Sequence, residues 1–377
     1  MLENLPSPIW VHTKPSLHKM IDDIASQTRV AVDTESNSLH AFREQVCLLQ
    51  FSTKKADYLV DPLALTDLSP LAPIFSNPTL EKIFHAAEYD LICLRRDFGF
   101  SFVNIFDTMQ AARVLGYTAV GLDKLLGDKF GIEVDKRHQK ANWAARPLPI
   151  EQIQYAMLDT HYLSALRDVL EVELREKERL EFALEDFKRA CDDLKPRANG
   201  ADSWERFSGR KDLSLRELTI VAQLCKWRDK EAERLNRPPY KVVMDDVFIA
   251  LAKNPPEKKV DLSAVGLSEK QIRLWGDVIL RAIKRGEESP LVERKQAERK
   301  NDAVLRRLEK LKAWRKNLGL ELKVESDIVL PKPYLAMLSE TPPKSLEELS
   351  LLMKDSPARF EKFGTQILKA LGVKHAN

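Results

Sequence analysis

The chain has 377 residues, so at roughly 150 residues per domain it holds two or three domains, which excludes a single small binding module. With 31% charged and 44% hydrophobic residues it has a globular composition, and no uncharged apolar run reaches the ~18–20 residues of a membrane helix. The net charge of +3 is a cancellation: residues 1–200 sum to −6 and residues 201–377 to +9.

That asymmetry has two readings, a C-terminal part that binds a polyanion, or two solvated surfaces of different sign. The N-terminal residues Met1 to Pro6 lack the basic stretch and apolar core of a signal peptide. The four cysteines, Cys47, Cys93, Cys191 and Cys225, form no C-x-x-C pair, so neither a disulfide framework nor a zinc ribbon is indicated. The expected location is cytoplasmic.

In chain order, Arg29–Asp33, Val46–Ser52 and Asp57–Val60 read as strands, the last two joined as a hairpin across Thr53, Lys54 and Lys55. Ile83–His85 and Asn104–Phe106 read as a fourth and a fifth strand, with helices near Tyr89–Arg96 and Thr108–Leu115 between and after them. Beyond Gly121 the pattern turns helical, and one charged helical stretch over residues 150–194 leads to a breaker-rich linker at 195–200. Three antiparallel strands followed by strands alternating with helices predict an α/β or α+β layer.

After residue 200 the chain repeats itself. Trp227 and Arg228 recur as Trp314 and Arg315, Leu224 as Leu311, and Leu251 with Pro255 and Pro256 as Leu338 with Pro342 and Pro343, all at an offset of 87. Leu262 and Ser263 match Leu349 and Ser350 at the same offset, and Trp275, Gly276, Ile279 and Leu280 match Phe363, Gly364, Ile367 and Leu368 at 88. A period this long is not a solenoid unit. It predicts a helical domain present twice, near 208–287 and 300–373. The first copy opens on an amphipathic helix with Leu215, Leu218, Val221, Ala222 and Cys225 on one face. Equivalent placement of Trp227 and Trp314 favours a core role for both. Between the copies, residues 281–316 carry 13 Lys and Arg against six acids, with Arg294, Lys295, Arg299, Lys300, Arg306 and Arg307 close together. Such a window suits phosphate contact or a solvated connecting helix.

Chemistry is carried by acids in apolar settings. Asp33 and Glu35, two apart at the end of the Val30-Ala31-Val32 run, point to one face of a strand. Asp90 follows at a strand–helix junction, where a helix N-terminal acid is the plainer reading. Tyr155 and Asp159, four apart, share a face of an amphipathic helix. Four carboxylates and a phenol, without clustered histidine or thiolate, suit hard ions such as Mg²⁺ or Mn²⁺. Two such ions about 3.5–4 Å apart stabilise both oxygens of a phosphodiester displacement.

The order Asp33-x-Glu35, then His85-x-x-x-x-Asp90-Leu91, then Tyr155-x-x-x-Asp159 resembles the DEDD superfamily of 3′–5′ exonucleases in its tyrosine branch. The sibling branch has His five residues before the last Asp, where this chain has Gln154. The run from Asp107 to Gly116 and the segments Trp143 to Leu148 and Gln152 to Leu163 are similar to ribonuclease D. The repeated unit resembles the helicase-and-RNase-D C-terminal domain.

The resemblance implies an α/β ribonuclease H-like catalytic domain (a mixed sheet with helices) over 1–200. Two all-α helical-bundle domains, over 208–287 and 300–373, follow. It implies Asp33, Glu35, Asp90 and Asp159 as ligands of two divalent cations, with Tyr155 orienting the attacking water, since a phenol of pKa near 10 is a poor base at neutral pH. The implied activity is metal-dependent trimming of RNA 3′ ends, tRNA precursors among them, by a monomer without membrane association, releasing 5′-nucleotides. The alternative is a non-catalytic or DNA-directed nucleic-acid-binding protein with a relic exonuclease domain; the complete acid set speaks against a relic. Asn142 replaces the Asp usual before the tryptophan, and Met157 and Leu158 are bulkier than usual, two departures able to alter a substrate cleft. His85 reads as a packed residue. His138, in the basic loop Lys136 to Lys140, reads as exposed near the cleft, a loop expected to touch phosphates.

Overall fold

Strands β1 (Ile9–Val11), β2 (Arg29–Ser36), β3 (Val46–Ser52), β4 (Asp57–Val60), β5 (Glu81–Phe84) and β6 (Ile105–Asp107) form one mixed sheet in the order β1-β4-β3-β2-β5-β6. β3 and β4 pair antiparallel, with Gln50 opposite Leu59, while β1–β4, β2–β5 and β5–β6 are parallel. β3 reads Val-Cys-Leu-Leu-Gln-Phe-Ser and is buried along its whole length, as a strand covered on both faces must be. β1, not foreseen, has only three residues, too few for a periodic signal. The structure is a computed structural model that describes residues 5–192, 203–207, 210–294 and 301–373. The linker read at 195–200 and the basic residues Lys295, Arg299 and Lys300 lie outside the described residues.

The chain forms two units, one of residues 1–35, 46–195 and 299–377, the other of residues 36–45 and 196–298. In the first, the sheet is accompanied by α1 (Lys14–Ala25), α2 (Ala72–Ser76), α3 (Glu88–Phe98), α4 (Thr108–Leu115), α5 (Leu122–Phe130), α6 (Ile150–His161), α7 (Leu163–Glu176) and α8 (Leu180–Asp192). The stretch expected as one helix over 150–194 is three. α6 packs on β3 and β4, whereas α7 packs on α4 and β5, so the chain must turn at Tyr162. A second break falls at Glu178, whose φ is +53°, and there Arg179 N–H closes on the Leu174 carbonyl at 2.8 Å. α7 buries Leu163, Leu166, Leu170 and Leu174, the single stripe a surface helix turns to its core.

The second unit is built on α9 (Leu215–Arg234), α10 (Asp245–Lys253) and α11 (Glu269–Glu288). Ser214 with Glu217 and Ser268 with Gln271 form capping boxes at α9 and α11. Leu218, Val221, Leu224 and Cys225 pack against Phe248, Leu251, Ile279 and Ile283. Leu215, expected on that face, is 40% exposed because it sits on the first turn, and Leu224 is in the core instead. The 36–45 segment joins this unit: Phe42 packs on its core, and Arg43 pairs with Glu233 at 2.7 Å.

The second copy of the repeat comprises α12 (Asp302–Leu322), α13 (Ser326–Val329), α14 (Lys332–Glu340), α15 (Leu346–Leu352) and α16 (Pro357–Leu371). The duplication holds at atomic level. Arg228 donates to the Val243 carbonyl at 2.9 Å and Arg315 to the Leu330 carbonyl at 2.8 Å, partners again 87 apart. Trp227 meets Trp275 edge-on at 6.0 Å between ring centres, and Trp314 meets Phe363 edge-on at 6.4 Å, so both tryptophans pack within their bundles. Arg294 and Arg307, read as candidate phosphate ligands, donate to the Leu213 and Ser339 carbonyls at 2.5 and 2.7 Å.

This copy is fastened to the catalytic helices. Arg359 of α16 is fully buried and binds Glu185 at 2.6 Å and Asp186 at 2.8 Å, both on α8, as well as the Ile328 carbonyl at 2.9 Å. Arg113 of α4 pairs with Glu325 and, at 2.8 Å, with Asp327. Arg179 donates to the Leu322 carbonyl at 2.8 Å.

Candidate active site

β2 carries Asp33 and Glu35 near its C-terminal end, and α6 brings Asp159 to them. The ligand-capable oxygens of Asp33, Glu35 and Asp159 lie within 4.8 Å of one another, all half-buried. Asp90 stands in the first turn of α3, 6% exposed, and does not join that trio within the same distance. Its carboxylate accepts the hydroxyl hydrogen bond of Thr34, the residue between Asp33 and Glu35. The four sequence-derived acids therefore converge, Asp90 set back by one hydrogen bond.

Their electrostatics are those of uncompensated charge. Burial, followed by the charges of Asp90, Asp159 and Glu35, raises the Asp33 carboxyl well above the ordinary carboxylate range. Glu35 is raised in the same way by burial and then by Asp159 and Asp90. Burial pushes Asp90 up to about 7 and Asp159 up to about 8, against hydrogen bonds from Thr34 and Tyr155 that oppose the rise. Among the described residues, no Lys or Arg pairs with any of the four. Clustered oxygen donors holding excess negative charge, with no protein cation to offset it, fit a divalent metal site.

Tyr155 is 9% exposed and shares a helix face with Asp159, one turn on. Burial and the charges of Asp159, Glu35 and Asp33 raise its phenol well above its usual range, so the hydroxyl keeps its proton. Its ring lies near those of Trp143, with ring centres 6.1 Å apart, and His138, 6.3 Å apart. Trp143 is buried, and its loop is pinned by Arg146, which forks onto Asp61 at 2.7 and 2.9 Å. Arg146 also donates to the carbonyls of Trp143, Ala145 and Cys47. Ser52 and Thr160, bonded at 2.7 Å, tie the end of α6 to β3.

His138, expected on an exposed loop, is half-buried beside Tyr155, and Lys136 of the same loop pairs with Asp123 at 2.7 Å. His85 is packed as expected, bonded to Thr108 at 2.9 Å, and burial lowers its pKa. Asn142 still accepts from the Ala144 N–H at 3.3 Å, so an amide serves that turn. Met157 and Leu158 are buried.

Thr34, Asp61, Asp107 and Arg146 carry no local pattern that marks a role. Arg146 and Asp107 lie in segments noted for their resemblance, the one signal that pointed toward them.

A 3′–5′ exonuclease family model matches residues 8–175, and the HRDC domain model matches twice, over 217–283 and 304–371. The chain is 31% identical over 264 residues to ribonuclease D of Acidiphilium cryptum, covering 70% of this chain and 67% of that protein. It is 34% identical over 280 residues to protein RRP6-like 3 of Arabidopsis thaliana, covering 68% of this chain and 31% of the plant protein, so it spans about a third of that relative. Among solved structures, Escherichia coli RNase D shares the fold over 97% of this chain and 99% of its own, with a TM-score of 0.71 at 23% identity. The catalytic core of RRP6 from Trypanosoma brucei matches 77% of this chain and 83% of its own, with a TM-score of 0.65 at 26% identity. With its acid set, its tyrosine and its two HRDC domains, the chain belongs to the ribonuclease D-type DEDD 3′–5′ exonucleases.

Proposed function

We propose that this chain is a metal-dependent 3′–5′ exoribonuclease that trims the 3′ ends of structured RNA, tRNA precursors among them, as a cytoplasmic monomer. The observation that carries the reading is the convergence of Asp33, Glu35 and Asp159 within 4.8 Å, with Tyr155 one helical turn before Asp159 on the same helix. Asp33, Glu35, Asp90 and Asp159 would hold two divalent cations, Mg²⁺ or Mn²⁺. When bound, these supply an activated water and neutralise the charge that develops on the phosphodiester oxygens.

The chain's own residues do the rest. Tyr155, protonated and set beside Trp143 and His138, holds the attacking water by hydrogen bond and does not remove its proton. The Arg146–Asp61 fork keeps the Trp143 wall in place. Thr34 holds Asp90 at its set-back position. RNA is favoured as substrate because relatives named ribonuclease D and exosome complex exonuclease RRP6 share the catalytic domain.

The test uses 3′-end-labelled and 5′-end-labelled RNA, with Mg²⁺ or with chelator. Mononucleotide release from the 3′ end that stops with chelator and with Asp159→Ala is expected; release that survives either would overturn the mechanism. A panel of tRNA precursor, unstructured RNA and single-stranded DNA in one metal buffer decides the substrate class, and binding without turnover on all three would favour the relic reading.

A further inference from the structure

Asp107 does more than cap its own helix. Its Oδ1 accepts from the N–H groups of Met109 and Gln110, at 2.9 and 3.0 Å, which is the N-cap that α4 requires. The same oxygen accepts from the Ala86 N–H at 3.0 Å, and Oδ2 accepts from the Ala87 N–H at 2.8 Å. Ala86 has a φ of +63°, a left-handed conformation that costs a residue with a Cβ about 1 kcal/mol or more. Ala87, at φ −49°, is the N-cap residue just before α3 and offers no side-chain cap of its own. Two successive N–H groups in left- then right-handed conformation form a concave anion-binding nest. The carboxylate of Asp107, 7% exposed, occupies it.

We propose that Asp107 is a positioning residue for Asp90, clamping the start of α3 so that the Asp90 carboxylate meets the Asp33–Glu35–Asp159 cluster. One buried carboxylate caps two helices at once, α4 in its own chain segment and α3 from across the β5–β6 edge. Asp90 is the third residue of α3, so any relaxation of the Ala86–Ala87 turn moves it directly. Thr108, whose hydroxyl donates to the Phe84 carbonyl at 3.1 Å, holds the other side of the same junction. Supporting groups of this kind typically change metal affinity by about 10–100-fold when removed. The inference rests on the exonuclease reading for its metal.

Two variants separate capping from positioning. Asp107→Ser keeps a good N-cap for α4 but is too short to span the nest. Asp107→Asn keeps the size but sets an amide donor, or a single acceptor, against two N–H donors. Mn²⁺ binding is measured by calorimetry without RNA, alongside thermal unfolding and the kcat and KM for RNA at saturating metal. Thr13→Ala, which removes the distant α1 cap, serves as the stability control. Expected for both Asp107 variants is Mn²⁺ binding weakened about 10-fold or more, with KM for RNA unchanged and activity partly recovered by excess metal. Wild-type Mn²⁺ affinity in a folded Asp107→Ser protein overturns the proposal. Absence of Mn²⁺ binding in the wild type overturns the exonuclease reading itself.

Discussion

Replacing Asp159 by Asn should make the metal-free protein more stable while abolishing its activity. In the folded chain burial holds the Asp159 carboxyl up to about 8, against 3.8 for an ordinary aspartate. Between these two values the folded state binds a proton that the unfolded chain has released. Raising the pH through this window therefore costs folding free energy, and the loss is complete above about 8. At about 1.4 kcal/mol for each tenfold change in proton affinity, a gap of roughly four powers of ten sets a ceiling near 6 kcal/mol. Solvent reaches the half-buried cluster, and Asp33 and Glu35 share the same protons, so roughly 2–4 kcal/mol is expected.

Asn has no charge to develop, and a divalent cation would offset the carboxylate charge in the wild type. Denaturant unfolding at about pH 5 and about pH 8, with chelator or with Mg²⁺, reads both effects. With chelator the wild type should lose stability relative to Asp159→Asn as pH rises; Mg²⁺ should return it at the higher pH and leave the variant unchanged. A wild type and variant that respond alike to pH and to Mg²⁺ would refute the reasoning.

Three further outcomes follow from the geometry. Tyr155→Phe should slow nucleotide release about 100-fold, since one lost hydrogen bond misplaces the water, with RNA affinity unchanged in a filter-binding assay; near-wild-type turnover would count against the assigned role. Arg359→Ala leaves Glu185 and Asp186 buried without their main cation and should cost about 3–5 kcal/mol in chemical unfolding; a cost under about 1 kcal/mol would mean that solvent enters this interface. Gly116, at φ +90°, abuts the Lys323 carbonyl, so Gly116→Ala should lower the melting temperature. An unshifted melting curve would show that α4 and α12 do not meet as described.

Much of the site was legible because its chemistry is local. An acid-x-acid pair after an apolar run has one way to point on a strand, and Tyr155 and Asp159 have one shared face on a helix. The duplicated bundle could be read by register alone, and its partners at 243 and 330 kept that register. Helix ends were read less well. The 150–194 stretch looked continuous because helix propensity is a local average, while its breaks are set by the surfaces that α6 and α7 must each cover.

The sequence by itself determined which acids and which tyrosine were candidates for the site, and the repeat, each read from short local patterns. Only the tertiary structure decided the partners. Thr34 meets Asp90 across 56 residues, Arg146 meets Asp61 across 85, and Arg359 meets Glu185 across 174. It alone showed that the second repeat is bolted to the catalytic helices, and that one carboxylate at 107 serves two helix starts. A buried charge or polar backbone group must find a partner somewhere, but which one depends on packing that no local pattern encodes.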